Sequence, residues 1–298
     1  MRVLKSFALA CLLLAGALAM GAPMEYRYFD WGKTPKRDDY QFAVLSLALD
    51  KTSAEFGPYR ALRVLGDFST LRIRQEVSAG KVINVQAGPW RILDKNDPLD
   101  QRIPINIPIM AGLLGQRVLL IRSEDLPKFR AIRDASQLKL LVAGQGRGWA
   151  EIELYRRNGY RISDTANIHT LLPMLAGKRF DYLPMSVVEA RSALAQYPEL
   201  AGQLMIAPDL MISYPLPTIF YVSARQPQLA QRLERGLALA SKDGSLNELL
   251  HYYFSKEMTM PGDVKYHFTM DDPAVPRALL GDLPSTRRQA SSRAHSQH

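Results

Sequence analysis

Between residues 24 and 253, short apolar runs of strand character alternate with stretches at helical spacing, and this alternation constrains the fold more than any other feature. Residues 24–29, 59–65, 81–87, 116–122, 138–143, 204–207 and 218–223 read as strands. Helical spacing runs through 40–51, 69–78 and 187–196, then through Leu229, Leu233 and Leu237, and through Leu246, Leu249, Leu250 and Tyr253. Parallel strands need long crossovers, and a helix between each pair supplies them. The class is therefore α/β, with mostly parallel sheets flanked by helices. Two punctuations interrupt the alternation, one near Gly112 and one at Pro215 and Pro217. Read as crossings between lobes, they give lobe one over 24–116 plus 222–275 and lobe two over 117–221. Ligands of such folds lie between the lobes, beyond the carboxyl ends of strands.

The stretch 138–186 carries the strongest local signal. An apolar run leads into Gly144-Gln145-Gly146-Arg147-Gly148-Trp149, and a helical pattern through Glu151, Glu153 and Tyr155 follows. Two readings fit. One is a binding loop, in which glycines let backbone approach a ligand, a helix start offers N–H groups, Arg147 adds charge and Trp149 a flat surface. The other is a tight strand-to-helix turn. A dinucleotide fingerprint does not fit: Asp164 falls twenty residues after Gly144, but the spacing is G-x-G-x-G rather than G-x-G-x-x-G.

The ends read differently from the middle. Arg2, Lys5, an apolar run over 7–18 and small residues at Ala17, Ala19 and Ala22 make residues 1–22 a cleavable signal peptide, which implies export to the periplasm. No later segment reaches the roughly 18 apolar residues of a membrane span. Cys11, the only cysteine, lies inside that apolar run, so the mature chain has no thiol for a disulfide, a metal or a nucleophile. The formal charge of +9 is partly in a basic tail, 284–298, which contains Arg287, Arg288 and Arg293 and reads as disordered. The excess fits an anionic ligand or a negatively charged membrane surface, and a solvated basic surface with no specific partner is the reading ahead of both. No aromatic-plus-basic motif implies nucleic acid. No G-x-S-x-G elbow is present, His169, His251 and His267 lack metal-ligand spacing, and Glu151 and Glu153 read as a dipole-compensating first turn. No cofactor is expected, and an enzyme is the less favoured class.

Four further features carry a resemblance. They are Gly112-Leu113-Leu114-Gly115-Gln116-Arg117; the glycine-rich stretch at 144–149; Leu175-Ala176-Gly177-Lys178-Arg179-Phe180-Asp181-Tyr182; and Tyr214-Pro215-Leu216-Pro217 leading to the helix pair around Asp243-Gly244. In order and spacing the chain resembles the bacterial periplasmic solute-binding proteins of the family 3-like, type II two-lobed kind, in a transporter substrate-binding-domain branch. The resemblance implies a Venus flytrap that captures a small molecule for a membrane permease, or serves as a ligand sensor, and acts as a monomer. It implies a lobe-one arginine on the ligand carboxylate, for which Arg91 and Arg102 both qualify. It also implies an acidic residue on the ligand ammonium, five residues beyond Asp181, where this chain has Ser186. Glu189, one turn further on, is the substitute. With that anchor replaced, a small polar or anionic ligand fits better than a zwitterion. The candidate ligand contacts are Trp31 and Trp90 after strand ends, Arg91, Arg102, Gln145, Gly146, Arg147, Trp149, Ser186 and Glu189. Backbone N–H groups at helix starts after Gly146 and Ser186 complete the expected site, and Ser186 also reads as an N-cap.

Overall fold

The computed structural model describes residues 23–166, 168–259 and 264–280. The expected signal peptide over 1–22 and basic tail over 284–298 lie outside the described residues. Eleven strands are described: β1 (Met24–Asp30), β2 (Tyr59–Leu65), β3 (Val85–Pro89), β4 (Arg102–Ile105), β5 (Gln116–Arg122), β6 (Val142–Gly146), β7 (Arg161–Ala166), β8 (Leu183–Ser186), β9 (Leu204–Ser213), β10 (Thr218–Ser223) and β11 (Tyr266–Thr269).

The first sheet has the order β2-β1-β3-β10-β4, parallel from β2 to β3, with β10 antiparallel between β3 and β4. A second sheet has the order β11-β9-β5-β8. The parallel pair β6-β7 joins its flank where Gly144 N donates to Tyr182 O at 2.8 Å and Asp181 N to Val142 O at 2.8 Å. Every residue of β5 and of β10 is buried, as expected for strands covered on both faces.

The boundaries drawn from the sequence change in two places. Thr218 to Tyr221 fell in the span expected for lobe two, yet β10 pairs with β3 and β4 in the first sheet. Tyr266–Thr269 fell in the span expected for lobe one, yet β11 pairs in parallel with β9 in the second sheet. The cause of the first is the linker after β9: Tyr214 to Pro217 delivers the chain directly between β3 and β4.

Helices form where the sequence offers starts and stops. Pro35–Asp50 opens with proline in its first turn, and the Asp38 carboxylate accepts from the N–H and the hydroxyl of Thr34, both at 3.0 Å. Thr70–Ala79 is capped by Ser69, whose hydroxyl accepts from Arg72 N, and is closed by Gly80 at φ 66°. Val44, Leu45, Ala48 and Leu49 of the first helix share a core with Leu233 and Leu237 of helix Pro227–Lys242. Gly236 permits that close contact: a Cβ there would stand 2.0 Å from Ala48 O. Among the described residues no helix is long and apolar enough to cross a membrane.

The two interruptions lie side by side. Tyr214 N donates to Gly115 O at 3.2 Å, and Gln116 pairs with Ser213. A side chain at Gly115 has no room, because its Cβ would lie 2.0 Å from Tyr214 O. The glycine-rich stretch differs from its expected form. Helix Ala135–Lys139 takes Leu138, started by a capping box on Asp134. The strand begins only at Val142 and carries Gly144 and Gly146 within it. Their role there is packing: a Cβ would meet the Phe180 ring 2.4 Å from Gly144, or the Trp149 indole 2.3 Å from Gly146. Gly148 alone in this stretch is left-handed, at φ 76°.

Candidate functional site

A cavity of about 780 Å³ lies between the two sheets, with walls drawn from both. The first-sheet wall carries Trp31, Arg37, Arg74, Gln86, Arg91, Arg102, Thr218 and Tyr221; the second-sheet wall carries Arg117, Arg147, Trp149, Glu151, His169 and Glu189. Six arginines therefore face three carboxylates, those of Asp67, Glu151 and Glu189.

On the first-sheet wall, Arg74 and Arg102 share one oxygen of Asp100, at 2.6 and 2.7 Å. Arg102 also stacks on the Tyr221 ring, 4.8 Å from its centroid. Burial pushes the Asp100 carboxyl up, but the N–H of Asp94 and the two guanidinium groups outweigh it and hold the carboxyl below its ordinary value. Arg91 has no carboxylate within 4 Å; its Nη2 donates to Gly148 O at 2.6 Å, and its N–H to the Tyr221 hydroxyl at 2.9 Å. Burial, together with Arg74 and Arg102 nearby, holds its pKa below the usual arginine value. Four polar atoms on this wall are buried without a hydrogen-bond partner: Arg74 Nε, Arg102 Nε, Gln86 Oε1 and Thr218 Oγ1.

The two buried carboxylates of the second-sheet wall are paired with arginines, although Arg117 Nε is itself buried without a hydrogen-bond partner. Arg117, 3% exposed, holds Glu151 at 2.9 Å and lies 3.7 Å from Glu189. Glu189 in turn pairs with Arg37 from the other wall, and Arg37 is held on its far side by Asp38 at 3.0 Å and stacked on Trp31 at 4.5 Å. Arg147 is exposed and donates to Thr165 O at 2.9 Å. His169 pairs with Asp67 across the mouth.

Of the residues singled out from sequence, Trp31, Arg91, Arg102, Gly146, Arg147, Trp149 and Glu189 line this cavity. Trp90, Gln145 and Ser186 do not. Trp90 N donates to Pro217 O beside the linker. The Gln145 amide is wholly buried with neither of its atoms paired. The Ser186 hydroxyl donates to Leu113 O at 2.8 Å rather than capping a helix. The expected helix starts also move, since the helices begin at Ile152 and Ala190 and run only six residues each.

No protein-family model and no curated protein sequence matches the chain. Solved structures do. An ancestral arginine-binding protein bound to arginine is similar over 78% of this chain and 100% of its own, at 14% identity and a TM-score of 0.53. A periplasmic His/Glu/Gln/Arg/opine family-binding protein from Silicibacter pomeroyi, in complex with lysine, is similar over 78% and 97%, at 12% identity and 0.53. A histidine kinase sensor domain similar to periplasmic binding proteins matches over 78% and 96%, at 16% identity and 0.52. The chain has the two-lobed periplasmic-binding-protein fold.

The cavity sits between the two sheets, and hydrogen bonds across it among the described residues include Arg37 to Glu189, Arg91 to Gly148 O, His169 to Asp67, and the Gln196 amide to Lys33 O. The sequence reading missed Arg37, Arg74, Gln86, Arg117, Thr218 and Tyr221. One signal was available. Arg117 directly precedes the apolar run Val118-Leu119-Leu120-Ile121 in a stretch that reads as a strand, and a buried charge there needs a partner or a purpose. Glu151 was read as a first-turn acid on a helix; it precedes the helix and is buried on Arg117, whereas Glu153 is exposed and pairs with Arg156.

Proposed function

We propose that this protein is an exported solute-binding protein that captures a small anionic molecule between its lobes and delivers it to a membrane transporter. In this reading lobe one gathers 24–105 and 218–259, and lobe two gathers 116–213 with 266–269. The observation that carries it is the first-sheet wall. Arg74 Nε, Arg102 Nε and Thr218 Oγ1 are buried donors without partners, and Arg91 beside them has no carboxylate. A buried donor left unmet costs about 1–3 kcal/mol, so a wall that keeps several is arranged for an acceptor from outside the chain. The ancestral arginine-binding protein and the Silicibacter pomeroyi protein of this fold are binding proteins, which favours capture over turnover. A sensing role uses the same site, and likeness to a sensor domain favours it as the second reading.

Native mass spectrometry of protein purified without denaturation tests the reading. A retained small acid, lost in Arg91→Ala and in Thr218→Val, is the expected result. Retention of the same molecule by both variants would place the site elsewhere, and turnover of the molecule would make the protein an enzyme.

A further inference from the structure

All three carboxylates that line the cavity already have a side-chain partner from the protein itself. Asp67 meets His169, Glu151 meets Arg117, and Glu189 meets Arg37. The last pair differs from the others in its setting. Arg37 and Glu189 come from opposite walls, are 9% and 4% exposed, and both line the cavity. Arg37 is fixed from behind by Asp38 and from the side by Trp31, so it is held in place to meet Glu189 rather than swinging freely. A ligand ammonium group would have to displace a buried guanidinium from Glu151 or Glu189, the two buried acids of the lining. Among the anion-seeking groups, the side chains of Arg91 and Arg147 bond to backbone carbonyls rather than carboxylates, and Arg74 Nε, Arg102 Nε and Thr218 Oγ1 have no hydrogen-bond partner, although Asp100 pairs with the Nη2 groups of Arg74 and Arg102.

We infer that Arg37 is a built-in counter-ion: it occupies Glu189 in place of a ligand cation, latches the lobes, and restricts the site to dianions that carry no amino group. This rests on the solute-binding reading and narrows it to a ligand class. Two cations without carboxylates set the charge of the ligand at about minus two. Paired carboxylates and a phosphate share that chemistry.

Calorimetry with matched probes decides it: succinate against aspartate, glutarate against glutamate, and inorganic phosphate. In each acid pair the second member differs by one α-ammonium group. The wild type binds a diacid or phosphate and prefers the diacid over its amino partner by about tenfold or more, which is about 1.4 kcal/mol. Arg37→Met keeps the stem and removes the charge; it lowers that preference at least about tenfold by gaining affinity for the amino acid. Adding Glu189→Gln to Arg37→Met erases the gain. Melting curves confirm that each variant is folded, and Arg37→Gln replaces Arg37→Met if the latter is not. Phosphate binding without diacid binding keeps the dianion class and assigns it to phosphate, with O-phosphoserine then gaining affinity in Arg37→Met. Aspartate or glutamate bound by the wild type as tightly as the diacid overturns the role of Arg37 but leaves solute binding standing. An unchanged preference in a folded Arg37 variant does the same. Failure of the wild type to bind any probe removes the dianion class, and a retained molecule of other chemistry in the mass spectrum would show that solute binding survives it.

Discussion

The two walls of the cavity hold arginines in opposite ways. On the second-sheet wall, Arg117 lies between Glu151 and Glu189, and Glu189 also pairs with Arg37 from the opposite wall. On the first-sheet wall, Arg74 and Arg102 share Asp100, Arg74 also reaches Asp97 at 3.3 Å, and Arg91 has no carboxylate of the described residues within 4 Å. A buried ion pair mainly avoids a penalty, because it seldom stabilises more than well-packed apolar groups would. A partly matched cluster instead retains capacity for a partner. On the proposed function, the contrast gives Arg117 a mainly structural part and Arg91 a part in recognition, although arginine stands on both walls.

The largest expected effect tests the structural wall. Arg117→Ala leaves Glu151 buried without its partner and should destabilise the protein by about 3–5 kcal/mol in urea unfolding. A loss below about 1 kcal/mol would mean that the pair does not hold this wall. Next comes the recognition wall. Arg91→Ala should weaken the tightest-binding probe by about 2 kcal/mol, roughly thirtyfold, while moving the unfolding midpoint little, since Arg91 bonds only to a carbonyl across the cavity mouth. If stability falls and affinity does not, the two walls have been assigned the wrong way round.

A third test uses pH. Asp100 has a folded-state pKa below its unfolded value, so its contribution is present above the unfolded value of about 3.9 and is lost as pH falls through the folded value. The stability gap between wild type and Asp100→Asn should therefore be constant near neutral pH and close as the solution is acidified below about pH 4. A gap that widens on acidification would reverse the sign assigned here. The smallest effect is Glu153→Ala, on an exposed pair with Arg156, expected within about 0.5 kcal/mol. Set beside Arg117→Ala, it measures how much more the Glu151 site matters than a surface acid two residues away.

Much of the architecture was legible because alternation is a local signal. The crossings at Gly112 and Pro215 were legible for the same reason, since glycine and proline punctuate the chain wherever they fall. Pairing was not. Nothing near Tyr266 announces a strand that will join Leu210 to Ser213, more than fifty residues earlier. Of the cavity lining, Trp31 was legible as an aromatic after a strand end, Arg91 as an arginine in the irregular segment, and Glu189 as the acid one turn beyond Ser186. Immediate neighbours were misassigned because successive strand side chains alternate faces. Gln145 turns into the core beside Gly146, which lines the cavity, and Trp90 lies outside the lining that includes Arg91. Arg37 stayed hidden because an arginine in the first turn of a helix reads as a solvated face until its partner on the opposite wall is known.

β11 bears on how the chain is made. It is the edge strand of the second sheet, yet it is synthesised after the last strand and both long helices that complete the first lobe. A chain emerging in order therefore offers the second sheet with one side of β9 unpaired for a period on the order of seconds at ordinary rates of synthesis. During that interval β9 is an exposed strand edge, the kind of surface that recruits other chains. Its Pro208 and Asp209, the latter left-handed at φ 64°, interrupt the exposed run and make it a poor template for a second copy until Tyr266–Thr269 arrives.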